Sequence, residues 1–379
     1  MKQYQPFSPV EISIVTRGEA IEYLGRLISY GGKTLILASN GRIAGLGLDQ
    51  WLSNVKKAGD IVHHGRVPVN PTISDVYESL FLLREIRADR IIAIGGGSCI
   101  DLAKAISALH SLIPVGSLSK ESVRDAIKKK EYLNEHRFID VIAVPTTSGT
   151  GSEVTKWATI WDMDNVEKLS IDCMGLFPKA AVLVPEFTAS MNGRLTLSTG
   201  LDALSHAMEA FWSKSRTPLA QALAITAINY IKEYLPLVLK NRNDIDMRRM
   251  MCVAALIAGL SFSITRTTAC HSISYPLTMC FGMEHGFAAA MTLAQVAERN
   301  EAAVPEISQI YSVFGGKDGF SRWLKDVTQP VQELRLSAFS ISGSDLDFIV
   351  EKTFTQGRMD NNPIIFSPEE VKEILRQVL

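Results

Sequence analysis

RIIAIGGGSCIDLAK, residues 90–104, decides how the N-terminal half of this 379-residue chain is read. Ile91 to Ile94 is apolar without alternation, the pattern of a strand buried on both faces, and such strands belong to parallel sheets covered by helices. Gly95, Gly96, Gly97 and Ser98 then end the strand and open a helix starting near Asp101. Consecutive glycines let a backbone approach a pyrophosphate closely, while a helix N-terminus offers unpaired N–H groups and a partial positive charge. A tight strand-to-helix turn would need the same glycines.

Outward from this stretch, KTLILAS (33–39), DIVHHGRV (60–67), VIAVPTT (141–147) and AAVLVP (180–185) read as further strands. Between them, residues 74–88 place Val76, Leu80, Leu83 and Arg87 at steps of four and three, with Ile86 beside the stripe, which predicts a helix packed on the sheet. Residues 145–152, PTTSGTGS, form a second small, hydroxyl-rich loop after a buried strand. Two such loops at strand C-terminal ends are where open α/β sheets bind dinucleotides. After Pro185 the texture changes to long Ala-, Leu- and Met-rich segments, 200–212, 219–239 and 247–262 among them. The expectation is an α/β domain over 1–186 and an all-α domain over 187–379, packed closely around a cleft.

Composition narrows the function. With 39 Lys and Arg against 40 Asp and Glu, the net charge is -1. A nucleic-acid or membrane-surface protein would normally carry a basic face, so a small-molecule partner is expected. Five cysteines, an odd number without paired spacing, fit reduced thiols. The first residues, MKQYQPFSPVEISI, lack the apolar core of a signal peptide. The longest apolar run, near 254–260, falls short of the roughly 20 residues that span a bilayer. A soluble, cytoplasmic protein follows as the expectation; the oligomer is left open, with a homodimer allowed.

In the second half, Asp202 and His206 in GLDALSHAMEAFW stand four apart, one turn apart on one helix face. His271 and His285 follow in HSISYPLTMCFGMEHG, with Pro276 and Gly282 able to bend the chain between them. Three imidazoles and a carboxylate suit a divalent transition metal with a position left for substrate. The plainer alternative is a helical Asp–His pair and core histidines.

Taken together, GGGSCIDLAK (95–104), PTTSGTGSEVT (145–155), GLDALSHAMEAF (200–211), the segment from His271 to His285 and RMDNNP (358–363) resemble the iron-containing (group III) alcohol dehydrogenase family. The motifs span most of the chain in the family's order. The resemblance implies a Rossmann-like N-terminal domain and a helical C-terminal domain, an architecture shared with dehydroquinate synthase. It also implies NADH or NADPH beside a metal, Fe2+ or a substituting Zn2+ or Ni2+, held by Asp202, His206, His271 and His285. On the cofactor side it implies Gly96, Gly97, Ser98 and Asp101 at the pyrophosphate, Thr146 and Thr147 nearby, Ser39 and Asn70, and Lys168 toward the nicotinamide. For Lys168 the alternative is a solvated strand end.

Two departures from the family pattern stand out. A second histidine common four residues after the third ligand, proposed to relay a proton, is here Tyr275, followed by Pro276. Where NAD-preferring members carry an Asp after the first strand, this chain reads Ala38, Ser39, Asn40, Gly41, Arg42, so that Arg42 can pair with a 2′-phosphate. Within the family, TRTTACHSISYPLT (265–278) and KWATIWD (156–162) most resemble phosphonoacetaldehyde reductases. That likeness implies reduction of a small anionic aldehyde, with Arg266 recognising the anion and Thr267 and Thr268 donating to it; an ion pair inside the helical domain is the competing role for Arg266. The rival functions are a general alcohol dehydrogenase, a dehydroquinate synthase-like lyase, and a homologue that has lost activity.

Overall fold

In the computed structural model of the chain, residues 8–58, 60–165, 167–354 and 357–379 are described, so the first half of the N-terminal stretch MKQYQPFSPVEISI lies outside them. The chain divides into two compact units, one running up to Thr147 and over Ser152–Ser190, the other comprising Ser148–Gly151 and Met191–Leu379. The division falls at Ser190 instead of 186 because Phe187, in the short helix Pro185–Thr188, is buried in the core of the sheet unit.

The first unit is built on six parallel strands: β1 (Glu11–Ile14), β2 (Thr34–Leu37), β3 (Ile61–His64), β4 (Arg90–Gly95), β5 (Asp140–Pro145) and, after a separate antiparallel hairpin of β6 (Trp157–Asp162) and β7 (Glu167–Asp172), β8 (Ala180–Leu183). Their order across the sheet is β1-β8-β5-β4-β2-β3. Side chains alternate along a strand. Leu35, Leu37, Ile91, Ala93, Val141 and Ala143 accordingly enter one core, and Ile36, Ala38, Ile92, Ile94, Ile142 and Val144 the other. That two-sided burial is why the strands read as unbroken apolar runs.

The observed strands are shorter than the apolar runs; β1 and β6 are not among the runs that read as strands, and of β7 only the alternative of a strand end at Lys168 points to one. The helix expected from residue 74 spans Ile73–Ile86, where Arg87, in a left-handed conformation (φ 51°), is the cap and not part of the stripe. The helix after the glycines starts at Gly97, four residues before the expected Asp101, with Gly96 as its N-cap.

The second unit is helical, led by Gly193–Trp212, Pro218–Lys240, Ile245–Thr265 and Ala269–Phe281 around one apolar core. Pro218–Lys240 and Ile245–Thr265 are long and apolar enough to cross a membrane. This corrects the expectation drawn from the longest uninterrupted run, because a span tolerates one or two polar residues. Each lays one face on the helical core, where Ala227, Ile231 and Leu235 of the first and Ala254 and Ala258 of the second are fully buried.

Candidate active site

In the sheet unit, β2 and β4 are neighbours, with β3 beyond one and β5 beyond the other, so connections run in opposite directions from this point. Open parallel sheets bind ligands at the C-terminal ends of strands at such a switch. Ser39 follows β2 there and the glycine loop follows β4. A Cβ on Gly95 would come within 2.5 Å of Cys99 Cβ, and one on Gly96 within 3.3 Å of the Thr147 side chain, so both glycines permit a close passage. The first amides of the helix Gly97–Leu109 lack intrahelical acceptors and point toward the space outside the strand end.

The structure gathers most of the cofactor-side candidates around this loop. Ser98 Oγ accepts from the Asn70 amide at 3.1 Å, with Asn70 in a left-handed turn (φ 57°). The Thr146 amide donates to Gly95 O at 3.0 Å, and its hydroxyl is buried without a hydrogen-bond partner. Asp101 is tied inward: its carboxylate accepts from Ser152 Oγ and, at 2.9 Å, from the Thr159 amide. Lys104, fully buried beside it, donates to the carbonyls of Ser152, Thr155 and Trp157. Burial lowers its ammonium to about 8, against the pull of Asp101 and Glu153. Lys168 sits half-buried on β7 within electrostatic reach of Asp101. Ser39 caps the helix Asn40–Gly45 by accepting from the Arg42 amide, and Arg42 donates to Ser190 Oγ at 3.2 Å.

The loop expected to bind nucleotide as one piece is split. Thr146 and Thr147 belong to the sheet unit, whereas Ser148–Gly151 packs with the helices. Gly151 (φ 60°) lies so close to the helix Ile245–Thr265 that a Cβ would sit 2.6 Å from Gly259 Cα and 3.1 Å from the Phe262 ring. Phe262 in turn stacks on His206, centroids 4.0 Å apart.

The helical unit brings the four metal candidates together. Asp202 and His206 share a face of Gly193–Trp212, His271 lies in the first turn of Ala269–Phe281, and His285 opens the helix His285–Ala290. Pro276 stays inside its helix; Gly282 (φ 67°) ends it and turns the chain toward His285. The Nε2 atoms of His206, His271 and His285 lie 3.8, 3.5 and 3.8 Å from Asp202 Oδ1. A tetrahedral ion with bonds near 2.1 Å sets its ligand atoms about 3.4 Å apart. Asp202, His271 and His285 form the mutually close set, all within 4.8 Å; His206 approaches Asp202 from beside it. Asp202 Oδ1 and His271 Nε2 are buried without a hydrogen-bond partner, as ligand atoms facing a cation would be.

For Asp202 and His206 the electrostatics agree with that chemistry. Burial would raise the Asp202 carboxyl, but the surrounding imidazoles, His206 foremost, hold it below the usual carboxylate range. Burial lowers His206 to about 4, leaving it neutral and able to donate a lone pair. Burial would lower His271 as well, yet the carboxylates of Glu209 and Asp202 raise it to about 9.

Around this cluster, Tyr275 lies parallel to His285, centroids 6.3 Å apart, and its hydroxyl accepts from Arg358 Nε at 3.2 Å. Arg266 adopts φ 64°, ψ 174°, a region nearly exclusive to glycine. Its amide donates to Phe262 O at 2.7 Å, and Asn361 Nδ2 grips the flanking carbonyls of Thr265 and Thr267 at 2.8 and 3.0 Å. The guanidinium lies near Gly357, whose Cβ would be 3.3 Å from one of its nitrogens. Thr268 is not available to an anion: its hydroxyl is fully buried and donates to Glu209. Glu209, Arg358 and Asn361 fall within the sequence motifs, but their place in the motifs assigns them no role. For Glu209 a signal existed, since it stands seven residues after Asp202 and three after His206, on their face of an apolar helix.

A parallel sheet with a glycine loop at its switch point, joined to a helical unit holding a carboxylate among imidazoles, is the build of a metal-assisted dehydrogenase. The chain belongs to the iron-containing alcohol dehydrogenase family: residues 12–185 match "Iron-containing alcohol dehydrogenase" and residues 196–379 match "Fe-containing alcohol dehydrogenase family, C-terminal". It is similar to the NAD-dependent methanol dehydrogenase of Bacillus methanolicus, 27% identical over 97% of this chain and 98% of that protein. It is also similar to the phosphonoacetaldehyde reductase of Streptomyces viridochromogenes, 39% identical over 64% of this chain and 60% of that protein. Among solved structures, sulfoacetaldehyde reductase from Bifidobacterium kashiwanohense in complex with NAD+ superposes with a TM-score of 0.86 at 25% identity, covering 100% of this chain and 99% of that one. The chain is therefore an oxidoreductase of the alcohol dehydrogenase class, and its α/β and helical parts are those of the family.

Proposed function

We propose that the protein is a metal- and NAD(P)H-dependent reductase of small aldehydes that carry an anionic group, phosphonoacetaldehyde being the substrate tested first. The observation that carries the metal half is the approach of three imidazole nitrogens to one buried, unpartnered Asp202 oxygen. Asp202, His206, His271 and His285 would hold the ion, with iron the choice the family name supports. A divalent cation bound there supplies Lewis-acid polarisation of an oxygen, and a reduced nicotinamide supplies hydride. The chain's own part is to hold the reacting groups in place and exclude water, with Gly96, Gly97 and Ser98 at the nucleotide phosphates and Tyr275 stacked beside His285.

The anionic substrate is supported by Arg266. A guanidinium matches two oxygens of a phosphonate or sulfonate, and its backbone is held in a costly conformation by Phe262 and Asn361. The likeness to a phosphonoacetaldehyde reductase and to a sulfoacetaldehyde reductase points the same way. NADPH is expected to serve at least as well as NADH, since Ser39 carries no charge to repel a 2′-phosphate and Arg42 is close in sequence. Five free cysteines fit a reducing, cytoplasmic location.

The test is NAD(P)H oxidation with phosphonoacetaldehyde, sulfoacetaldehyde and butanal, on wild type and Arg266→Ala. The anionic aldehydes should be preferred, and Arg266→Ala should raise their KM well beyond that of butanal. Equal losses, or butanal reduced as well as the anionic aldehydes by wild type, would return the protein to the general alcohol dehydrogenases.

A further inference from the structure

Glu209 is fully buried, and its two oxygens face different partners. Oε1 takes four donors: the Thr268 amide at 3.0 Å, the Thr268 hydroxyl at 2.7 Å, the Cys270 amide at 2.8 Å and, more distantly, the His271 amide at 3.4 Å. Oε2 faces Nδ1 of His271. The direction of the Thr268 hydroxyl is fixed as well, because Thr268 Oγ1 receives the indole N–H of Trp212 at 3.0 Å and so turns its own proton to Glu209. Oε1 is thus enclosed by donors, and only an acceptor can occupy its place.

From this geometry we propose that Glu209 is a positioning residue that fixes the tautomer of His271, keeping the proton on Nδ1 and presenting Nε2 as an open lone pair toward Asp202 and the cation. The assignment rests on the metal-site reading above. His271 Nε2 has no hydrogen-bond partner and lies 3.5 Å from Asp202 Oδ1, where a protonated Nε2 would occupy the ligand position. Carboxylates behind metal-binding histidines act in this way. The Glu209 contacts also fasten the helix Gly193–Trp212 to the first turn of Ala269–Phe281, so that ligand orientation and helix docking share one carboxylate.

The two roles separate in Glu209→Gln, which keeps size and packing. The amide oxygen must take the Oε1 place, since an NH2 there would meet four donors. The NH2 then faces His271 Nδ1, turns it into an acceptor and moves the imidazole proton to Nε2. The experiment is Zn2+ affinity by chelator competition on the full chain for wild type, Glu209→Gln, Glu209→Ala and His271→Ala, with metal-free melting curves for each. Glu209→Gln should lose about 10- to 100-fold in affinity, at least as much as Glu209→Ala, while melting near wild type without metal. A purely structural carboxylate would instead leave Glu209→Gln closer to wild type than Glu209→Ala. Zn2+ binding lost in His271→Ala but within about threefold of wild type in Glu209→Gln would overturn the role of Glu209 alone. Binding that survives His271→Ala unchanged would overturn the metal-site reading and this role with it.

Discussion

Arg266 shows how a single residue can be placed against its own backbone preference. At φ 64° and ψ 174° it occupies a region where a side chain costs about 1 to 3 kcal/mol. Asn361, Ser213 and Phe262 hold the peptide units on either side, so the strain cannot relax locally. If the strain serves to aim the guanidinium, removing the side chain should separate stability from specificity. Arg266→Gly is expected to raise stability by about 1 kcal/mol, relieved strain outweighing the extra freedom of glycine in the unfolded chain. The same variant should lose its preference for anionic aldehydes. Urea melts and the KM ratio of sulfoacetaldehyde to butanal check the two halves, and a destabilised variant would count against stored strain. The charge of Arg266 in an apolar, hydroxyl-rich stretch was legible in the sequence. Its backbone state was not, because Asn361, which enforces it, stands 95 residues further along.

At the scale of elements, the candidate metal cluster depends on how closely two helices cross. His285 opens the helix His285–Ala290, and the next residue, Gly286, touches Gly193–Trp212 so tightly that a Cβ would lie 1.7 Å from Ser198 O. Backbone cannot yield at that distance, so Gly286→Ala has to push the helices apart. Overpacking of this kind costs about 1 to 3 kcal/mol. Gly286→Ala is therefore expected to lower the melting temperature and weaken Zn2+ binding together, because His285 moves from Asp202 while every ligand remains present. Wild-type affinity in a destabilised Gly286→Ala protein would show that the crossing does not set the ligand geometry. The helical pattern around both residues is readable from the sequence. That Gly286 is there for a crossing is not, since a glycine inside an apolar segment looks the same whether it meets a neighbouring helix or nothing.

For the molecule as a whole, the metal candidates and the glycine loop lie in different units, and the chain crosses from one to the other around Thr147, Ser152 and Ser190. All four metal candidates belong to the helical unit. Bound metal stabilises a native state by RT ln(1 + [L]/Kd), about 2.7 kcal/mol at a free concentration of 100 Kd. Hydrogen exchange with and without Zn2+ should therefore show protection gained in Gly193–Trp212 and Ala269–Phe281, which carry Asp202, His206 and His271. Strands β4 and β5 should change less. Protection confined to the sheet unit would place the metal elsewhere.

The sequence by itself determined the class of each half, because two-sided burial leaves unbroken apolar runs such as Ile91 to Ile94 and helical cores leave long Ala- and Leu-rich segments. It also put Asp202 and His206 on one face, which local helix periodicity alone does. Their meeting with His271 and His285 was an inference from resemblance, since 65 residues of chain separate His206 from His271. Only the tertiary structure decided that Ser148–Gly151 packs with the helices, that Asp101 turns inward to Ser152 and Thr159, and that Glu209 backs His271. The physical reason is common to all three. Periodicity reports which face of an element is buried, but a polar side chain takes its role from the donors and acceptors that other segments bring to it, and these are set by packing.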